Sequence, residues 1–184
     1  LQPGMEKNCV EIMDNQLDVP LGILKLPVPL KEDYNRRQKL IELIEKPLWT
    51  ITGKCAKDTL IPDLVSICKV NDQHQFIIFD AKYYNAHLEK GIVPTGQPGI
   101  ESITKQYLYQ LAYQQFIEDH NFSSVKNCFL LPTENNEIED KGEVRMEMLS
   151  NLGLQDIKIR LIPATMAYDL YLSGSKMDME RLDL

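Results

Sequence analysis

The sequence predicts an α/β (α+β) layered domain in which a mixed central β-sheet is flanked by helices. Three observations lead there. Two strand-like runs, Ile61-Pro62-Asp63-Leu64-Val65-Ser66-Ile67-Cys68-Lys69-Val70 and Gln75-Phe76-Ile77-Ile78-Phe79-Asp80-Ala81-Lys82-Tyr83, flank the turn-rich Asn71-Asp72-Gln73-His74. A long helical pattern spans Ile100 to His120. A buried-type strand, Val125 to Leu131, follows it.

The elements are justified in chain order. Pro20, Pro27 and Pro29 break any long element in the first thirty residues. Asp33 to Lys46 reads as an amphipathic helix, with Tyr34, Arg37, Ile41, Ile44 and Leu48 at helical spacing and Pro47 as its stop. Ile61 to Tyr83 reads as an antiparallel hairpin. A loop with Pro94, Gly96, Pro98 and Gly99 leads into the long helix, which offers Ile103, Leu108, Leu111, Ala112 and Phe116 for packing. Pro132 stops the strand that begins at Val125. Gly142 to Leu149 sets Val144, Met146 and Met148 against Arg145 and Glu147, the alternation of a half-buried strand. Ile157 to Ile162 alternates again, and Ala164 to Leu172 reads as a short helix. Residues 1–30 are expected to form an extension and 31–184 the domain proper.

Composition bounds the function. A chain of 184 residues with 43% hydrophobic content suits one globular domain with a sizeable core. No run of 18 apolar residues is present, so no membrane span or membrane partner is expected. Cys9, Cys55, Cys68 and Cys128 are widely spaced, which argues against zinc; Cys68 and Cys128 read as small core residues. A reducing cytoplasm is the simplest compartment. The chain opens on Leu1 with its first methionine at Met5, which suggests a tag remnant or a piece of a longer protein. A net charge of −7 argues against a general polyanion binder. The charge is uneven, though. Lys31, Arg36, Arg37, Lys39, Lys46, Lys54 and Lys57 cluster before the first long strand, while Glu134, Glu137, Glu139, Asp140 and Glu143 cluster in an expected loop.

Chemistry concentrates on the hairpin. Side chains alternate faces along a strand, so Asp80 and Lys82 share a face. A turn centred between Asn71 and Asp72 sets Asp63 directly opposite Asp80. One centred a residue later sets it opposite Lys82. Both registers put Asp63 on the shared face, whereas a half-residue slip, such as a bulge brings, would not. Any one of these charges alone reads as a surface residue or a strand-end ion pair. Three inside such apolar strands are costly unless paired or bound to a metal, and two carboxylates with an ammonium can hold a divalent cation beside a phosphate. His74, His87 and His120 stand isolated and read as turn or surface residues, and Tyr83 and Tyr84 read as strand-end packing.

Asp63 after Ile61-Pro62, the Asp80-Ala81-Lys82 run and a glutamine-bearing helix resemble the PD-(D/E)xK nuclease superfamily. Within it, Asp80-Ala81-Lys82-Tyr83, Tyr109-Gln110-Leu111-Ala112-Tyr113 and Asn127-Cys128-Phe129-Leu130-Leu131-Pro132 are most similar to LlaJI-type restriction endonucleases. The catalytic subunits of McrBC-type systems are more distantly similar. The resemblance covers roughly Asp33 to Tyr171. It implies a restriction-endonuclease-like core, with the usual meander compressed or begun near Trp49-Thr50-Ile51.

The resemblance implies a metal-dependent DNA endonuclease, the cleavage domain or subunit of a restriction system. Asp63, Asp80 and the backbone carbonyl of Ala81 would hold Mg²⁺, with Mn²⁺ able to substitute. Lys82 would orient water and offset negative charge. Related helices carry a tyrosine four residues after the glutamine, but here Tyr113 follows Gln110 by three. Gln110 is the favoured catalytic glutamine, with Gln106 as its neighbour; Gln106, Gln110 and Tyr113 share one helical face, and a plain solvent stripe is the alternative. Glu45, ahead of Glu42, is the candidate acid from the first helix. DNA is the implied partner, with a nucleotide-driven or DNA-reading subunit beside it and self-association left open. The chain has no P-loop of its own. A repair, recombination or phage-processing nuclease, or a non-catalytic subunit with a nuclease-like core, are the competing readings.

Overall fold

The computed structural model describes residues 11–184. Its centre is a two-residue turn. Asn71 and Asp72 both adopt positive φ, 49° and 63°. That matches the right-handed twist of paired strands and suits Asn and Asp better than most residues. The turn joins β3 (Leu64–Val70) to β4 (Gln73–Ala81), pairing Val70 with Gln73 through to Leu64 with Phe79. Two short strands precede them, β1 (Leu48–Trp49) and β2 (Lys54–Cys55), which form a separate two-stranded ladder. The central sheet therefore starts at β3, and of the two alternatives for the meander, compressed or begun near Trp49, the second is not met.

Helix α1 (Ile100–Asp119) carries the chain from β4 to β5 (Ser124–Thr133), which lies parallel beside β4. Next come β6 (Glu139–Val144), β7 (Ile157–Pro163) and helix α2 (Ala164–Ser173). The five strands run in the order β3-β4-β5-β7-β6, with β4, β5 and β7 parallel and the two edge strands antiparallel. This is the mixed sheet with helices that the sequence predicts, an α+β fold.

Alternation along β4 divides the core. Phe76 and Ile78 face α1 and pack with Tyr113 and Phe116. Ile77 and Phe79 face the opposite way, toward Ala167 of α2 and Met177 and Leu182 near the C-terminus. On that second face the buried Arg160 pairs with Asp140 at 2.7 Å and donates to the Leu182 carbonyl at 2.6 Å, so its charge is satisfied where it is desolvated. Ile12 and Met13 are fully buried on the second face, and Leu17 and Leu21 are buried on the α1 face. The described part of the first thirty residues is thus packed into the core and not set apart from it.

Three expected elements differ. Asp33 to Lys46 is not a helix; only a 3₁₀ turn, Leu40–Leu43, forms there. Its backbone groups are taken by the preceding segment: Leu21 and Gly22 donate to the carbonyls of Gln38 and Arg36, and Leu40 and Ile41 donate to those of Val19 and Leu17. The half-buried strand expected over Gly142 to Leu149 is shorter and earlier, and a 3₁₀ helix, Glu147–Leu152, takes its second half. Pro132 does not stop β5, which runs to Thr133. β4 ends at Ala81, opposite Leu130, so Pro132 lies beyond the stretch where an N–H toward β4 is needed.

Asp119, at the end of α1, ties the irregular segment down by accepting from Tyr34 Oη at 2.8 Å and pairing with the Lys31 ammonium. The bond from Lys31, then that from Tyr34, holds the Asp119 carboxyl down at about 2. A carboxylate depressed in the fold contributes stability above its unfolded value near 4, and that contribution fades as the pH falls toward 2. Thermal melts of Asp119→Asn should show a lower Tm at pH 7. They should also show a smaller difference from the parent at pH 2 than at pH 7; a constant difference would contradict the tether.

Candidate active site

The hairpin register decides the site. Continued by one pair past Leu64 and Phe79, it sets Asp63 directly across from Asp80. Both lie on the α1 face, as does Lys82. Asp63 Oδ2 accepts from the Ala81 amide at 2.9 Å, which holds its carboxylate over the end of β4. Lys82 Nζ lies 2.7 Å from Asp80 Oδ2 and 6.0 Å from the centre of the Phe129 ring. One pair further on, Pro62 stands opposite Ala81. A proline has no N–H to return to the Ala81 carbonyl, so the ladder supplies that oxygen with no donor from residue 62.

The electrostatics are those of crowded acids. Asp80 is 4% exposed, whereas Asp63 is open to solvent. Burial pushes the Asp80 carboxyl up to about 7; hydrogen bonding with Asp63 adds to the rise and the Lys82 ammonium opposes it. The pair therefore resists carrying two negative charges without a further cation. Its hard oxygen donors, two carboxylates with the Ala81 carbonyl directly after the second in sequence, fit a small divalent cation. Among the described residues no cluster of three histidine, cysteine or acidic side chains stands ready to hold a metal, so any ion here would rest on the two carboxylates, backbone and water.

An open cavity of about 370 Å³ joins Asp63, Asp80, Ala81, Lys82 and Tyr83 to Ser102, Lys105 and Tyr109 of α1. The sequence missed those three helical residues. Spaced three and four apart, they form one stripe. Tyr109 Oη donates to the Ile61 carbonyl at 3.1 Å and so fixes the segment that presents Asp63. Lys105 brings a second ammonium, paired with Glu101 at 2.6 Å. A larger cavity, about 630 Å³, lies beyond Phe129, but two of its acids already have cations: Asp140 pairs with Arg160 and Glu143 with Lys158.

The structure does not bring Gln110 to the carboxylates. Its Oε1 accepts from Asn127 Nδ2 at 2.7 Å and from the Gln155 amide at 3.0 Å. Gln106 donates to the Ile78 carbonyl at 2.8 Å and is fully buried, as is Tyr113. This stripe is neither the cavity lining nor the solvent side; its two glutamines tie α1 to the sheet. The confusion has a physical source. Leu108 and Leu111, read as packing residues, are exposed, and polar residues take the buried positions, so periodicity misplaces the helix by part of a turn. Glu42 and Glu45 are exposed and lie outside the cavity lining, Glu42 accepting from the Lys39 amide. His120, expected at a turn or surface, is fully buried between the Phe116 carbonyl and the Lys31 amide.

Gln110→Ala should strand the buried Asn127 Nδ2 donor and the partly buried Gln155 amide, which costs about 1–3 kcal/mol. Urea unfolding should show that loss, while turnover per folded molecule should stay within about twofold of the parent. A large fall in turnover with unchanged stability would restore Gln110 to the chemistry.

Comparison with known proteins adds to this geometry. The family model for LlaJI restriction endonuclease matches residues 31–169. The chain is also similar to the "Type II restriction enzyme BsuMI component YdjA" of Bacillus subtilis (strain 168), 29% identical over 158 residues. That alignment covers 83% of this chain and 32% of the relative, so the chain spans about a third of the relative's length. No solved structure matches.

Proposed function

The chain belongs to the LlaJI restriction endonuclease family, and from that premise we propose that it is a divalent-metal-dependent DNA endonuclease, the cleavage part of a restriction system. The observation that carries the reading is the placement of Asp63 across from Asp80 with Lys82 beside them on one face of the sheet. A structural ion pair needs one acid; this site sets two acids against one lysine and leaves an excess of negative charge next to an open cavity.

Asp63, Asp80 and the Ala81 carbonyl would hold Mg²⁺, with Mn²⁺ substituting. When bound, the ion supplies charge relief at a phosphoryl oxygen and a lowered pKa for water. Lys82, fixed by Asp80, orients the attacking water and offsets negative charge as it develops on the phosphate. Lys105 offers a second cation from the opposite wall to hold a phosphate in place. Tyr109 keeps Asp63 in position through the Ile61 carbonyl. The relative is described as a component of a restriction enzyme, and the chain covers only a third of it. We extend this to a partner that reads the DNA, because neither the cavity nor the helix beside it offers a recognisable base reader.

Asp80→Asn and Lys82→Ala should each lower Mg²⁺-dependent cleavage of duplex DNA by about three orders of magnitude or more, with circular dichroism unchanged. Mn²⁺ at about a hundred times its dissociation constant should raise the stability of the parent by about 2.7 kcal/mol. It should leave the melt of Asp80→Asn unmoved. Parent-like cleavage by Asp80→Asn, or full activity in strong chelator, would remove the assignment.

A further inference from the structure

The site makes no use of several basic residues that precede the sheet, and the structure sorts them. Lys31 is paired with Asp119, Lys39 with Asp18, and Arg36 donates to the Gly22 carbonyl. Lys46, Lys54 and Lys57 are exposed, and among the described residues none of them stands in an ion pair within 4 Å. All three belong to the β1–β2 hairpin or its base. Residues 46–57 contain no acid, in a chain whose net charge is −7. The same hairpin exposes Leu48 at 61%, Trp49 at 62% and Ile51 at 96%.

This arm is not a loose loop. Gly53, with φ of +65°, closes its tip and donates to the Trp49 carbonyl at 2.9 Å. At the base, Ala56 donates to the Pro47 carbonyl at 2.7 Å and Thr59 Oγ1 to the Glu45 carbonyl at 2.5 Å. From Thr59 the chain runs through Leu60, Ile61 and Pro62 directly to Asp63. Four residues span at most about 14 Å when extended, which is about four base-pair steps along a duplex.

We propose that the β1–β2 hairpin is a DNA-contacting arm beside the cleavage site. Lys46, Lys54 and Lys57 contact backbone phosphates of the duplex, and Trp49 and Ile51 lie against its groove and sugars. The proposal rests on the nuclease reading for the identity of the ligand. An acidic chain must confine its attraction for a polyanion to a local patch, and this patch carries three unpaired ammonium groups with no carboxylate between them. Apolar side chains set among such cations are how proteins press on a duplex surface. A protein partner could cover the same apolar residues, but it would have to bring an acidic surface to match the lysines.

Trp49 is the single tryptophan of the chain, so its emission reports on the arm alone. The experiment titrates the parent chain, in chelator, with a fluorescently labelled duplex. It follows tryptophan emission in parallel with the anisotropy of the label. Emission should change in step with anisotropy. The double variant Lys54→Ala/Lys57→Ala, its fold checked by circular dichroism, should bind about tenfold more weakly. The slope of its log affinity against log salt should be smaller by about 1.8. A silent Trp49 while the duplex binds, a double variant with parent affinity and slope, or no duplex binding at low salt each overturns the arm. Cleavage in Mg²⁺ is scored separately. A chain that cuts while Trp49 stays silent keeps the nuclease reading and loses the arm; one that does not cut while Trp49 tracks the duplex does the reverse.

Discussion

A tight turn at Asn71 and Asp72 governs what the rest of the molecule can do. Only two residues separate Val70 from Gln73, and both must accept left-handed backbone. That choice locks every later pair in the hairpin, from Cys68 with Gln75 to Leu64 with Phe79, and then Asp63 with Asp80. A bulged turn would rotate Asp63 to the far side of the sheet, into the apolar layer around Ile77 and Phe79. The chemistry at one end of the strands is therefore set by geometry at the other, seven pairs away.

The opposed acids would not stay together without support from three directions. Lys82 compensates the buried Asp80 directly. The Ala81 amide, freed from the ladder because β3 starts only at Leu64, holds Asp63. Tyr109 reaches across from α1 to the Ile61 carbonyl and fixes the approach to Pro62. The arrangement conflicts with simple stability, since burial and the neighbouring acid both push Asp80 away from its charged form. Proteins tolerate such conflicts where function needs charge held ready.

Helix α1 serves the fold and the site with different stripes. Gln106 and Gln110 bind it to β4, β5 and the Gln155 amide, while Ser102, Lys105 and Tyr109 line the cavity. Buried glutamines replace the aliphatic residues a helix would ordinarily set against a sheet. Their bonds fix the rotation of α1 more narrowly than apolar packing would, and that rotation aims Lys105 and Tyr109 at the carboxylates.

The hairpin, the long helix and the strand after it were legible because each carries a strong local signal: the Phe76–Phe79 apolar run and turn residues of the hairpin, the length of α1, the Cys128–Leu131 apolar run in β5. Asp63, Asp80 and Lys82 were legible for the same reason, since parity along a strand and the centre of a short turn are local properties. The span from Asp33 to Lys46 was not. Its helical spacing is real, but Leu17, Val19 and Leu21 compete for the same backbone groups and prevail. Lys105 and Tyr109 were hidden because the rotation of a helix about its axis depends on what the sheet offers it, here the Ile78 carbonyl and the Asn127 amide. Strand parity is written in neighbouring residues, so the chain alone put Asp63 on the face of Asp80 and Lys82 in either register it allowed; the two-residue turn of the structure chose the register that opposes the acids. Which face of α1 meets them, and where the first thirty residues lie, depends on contacts between distant segments, and only the tertiary structure decided those.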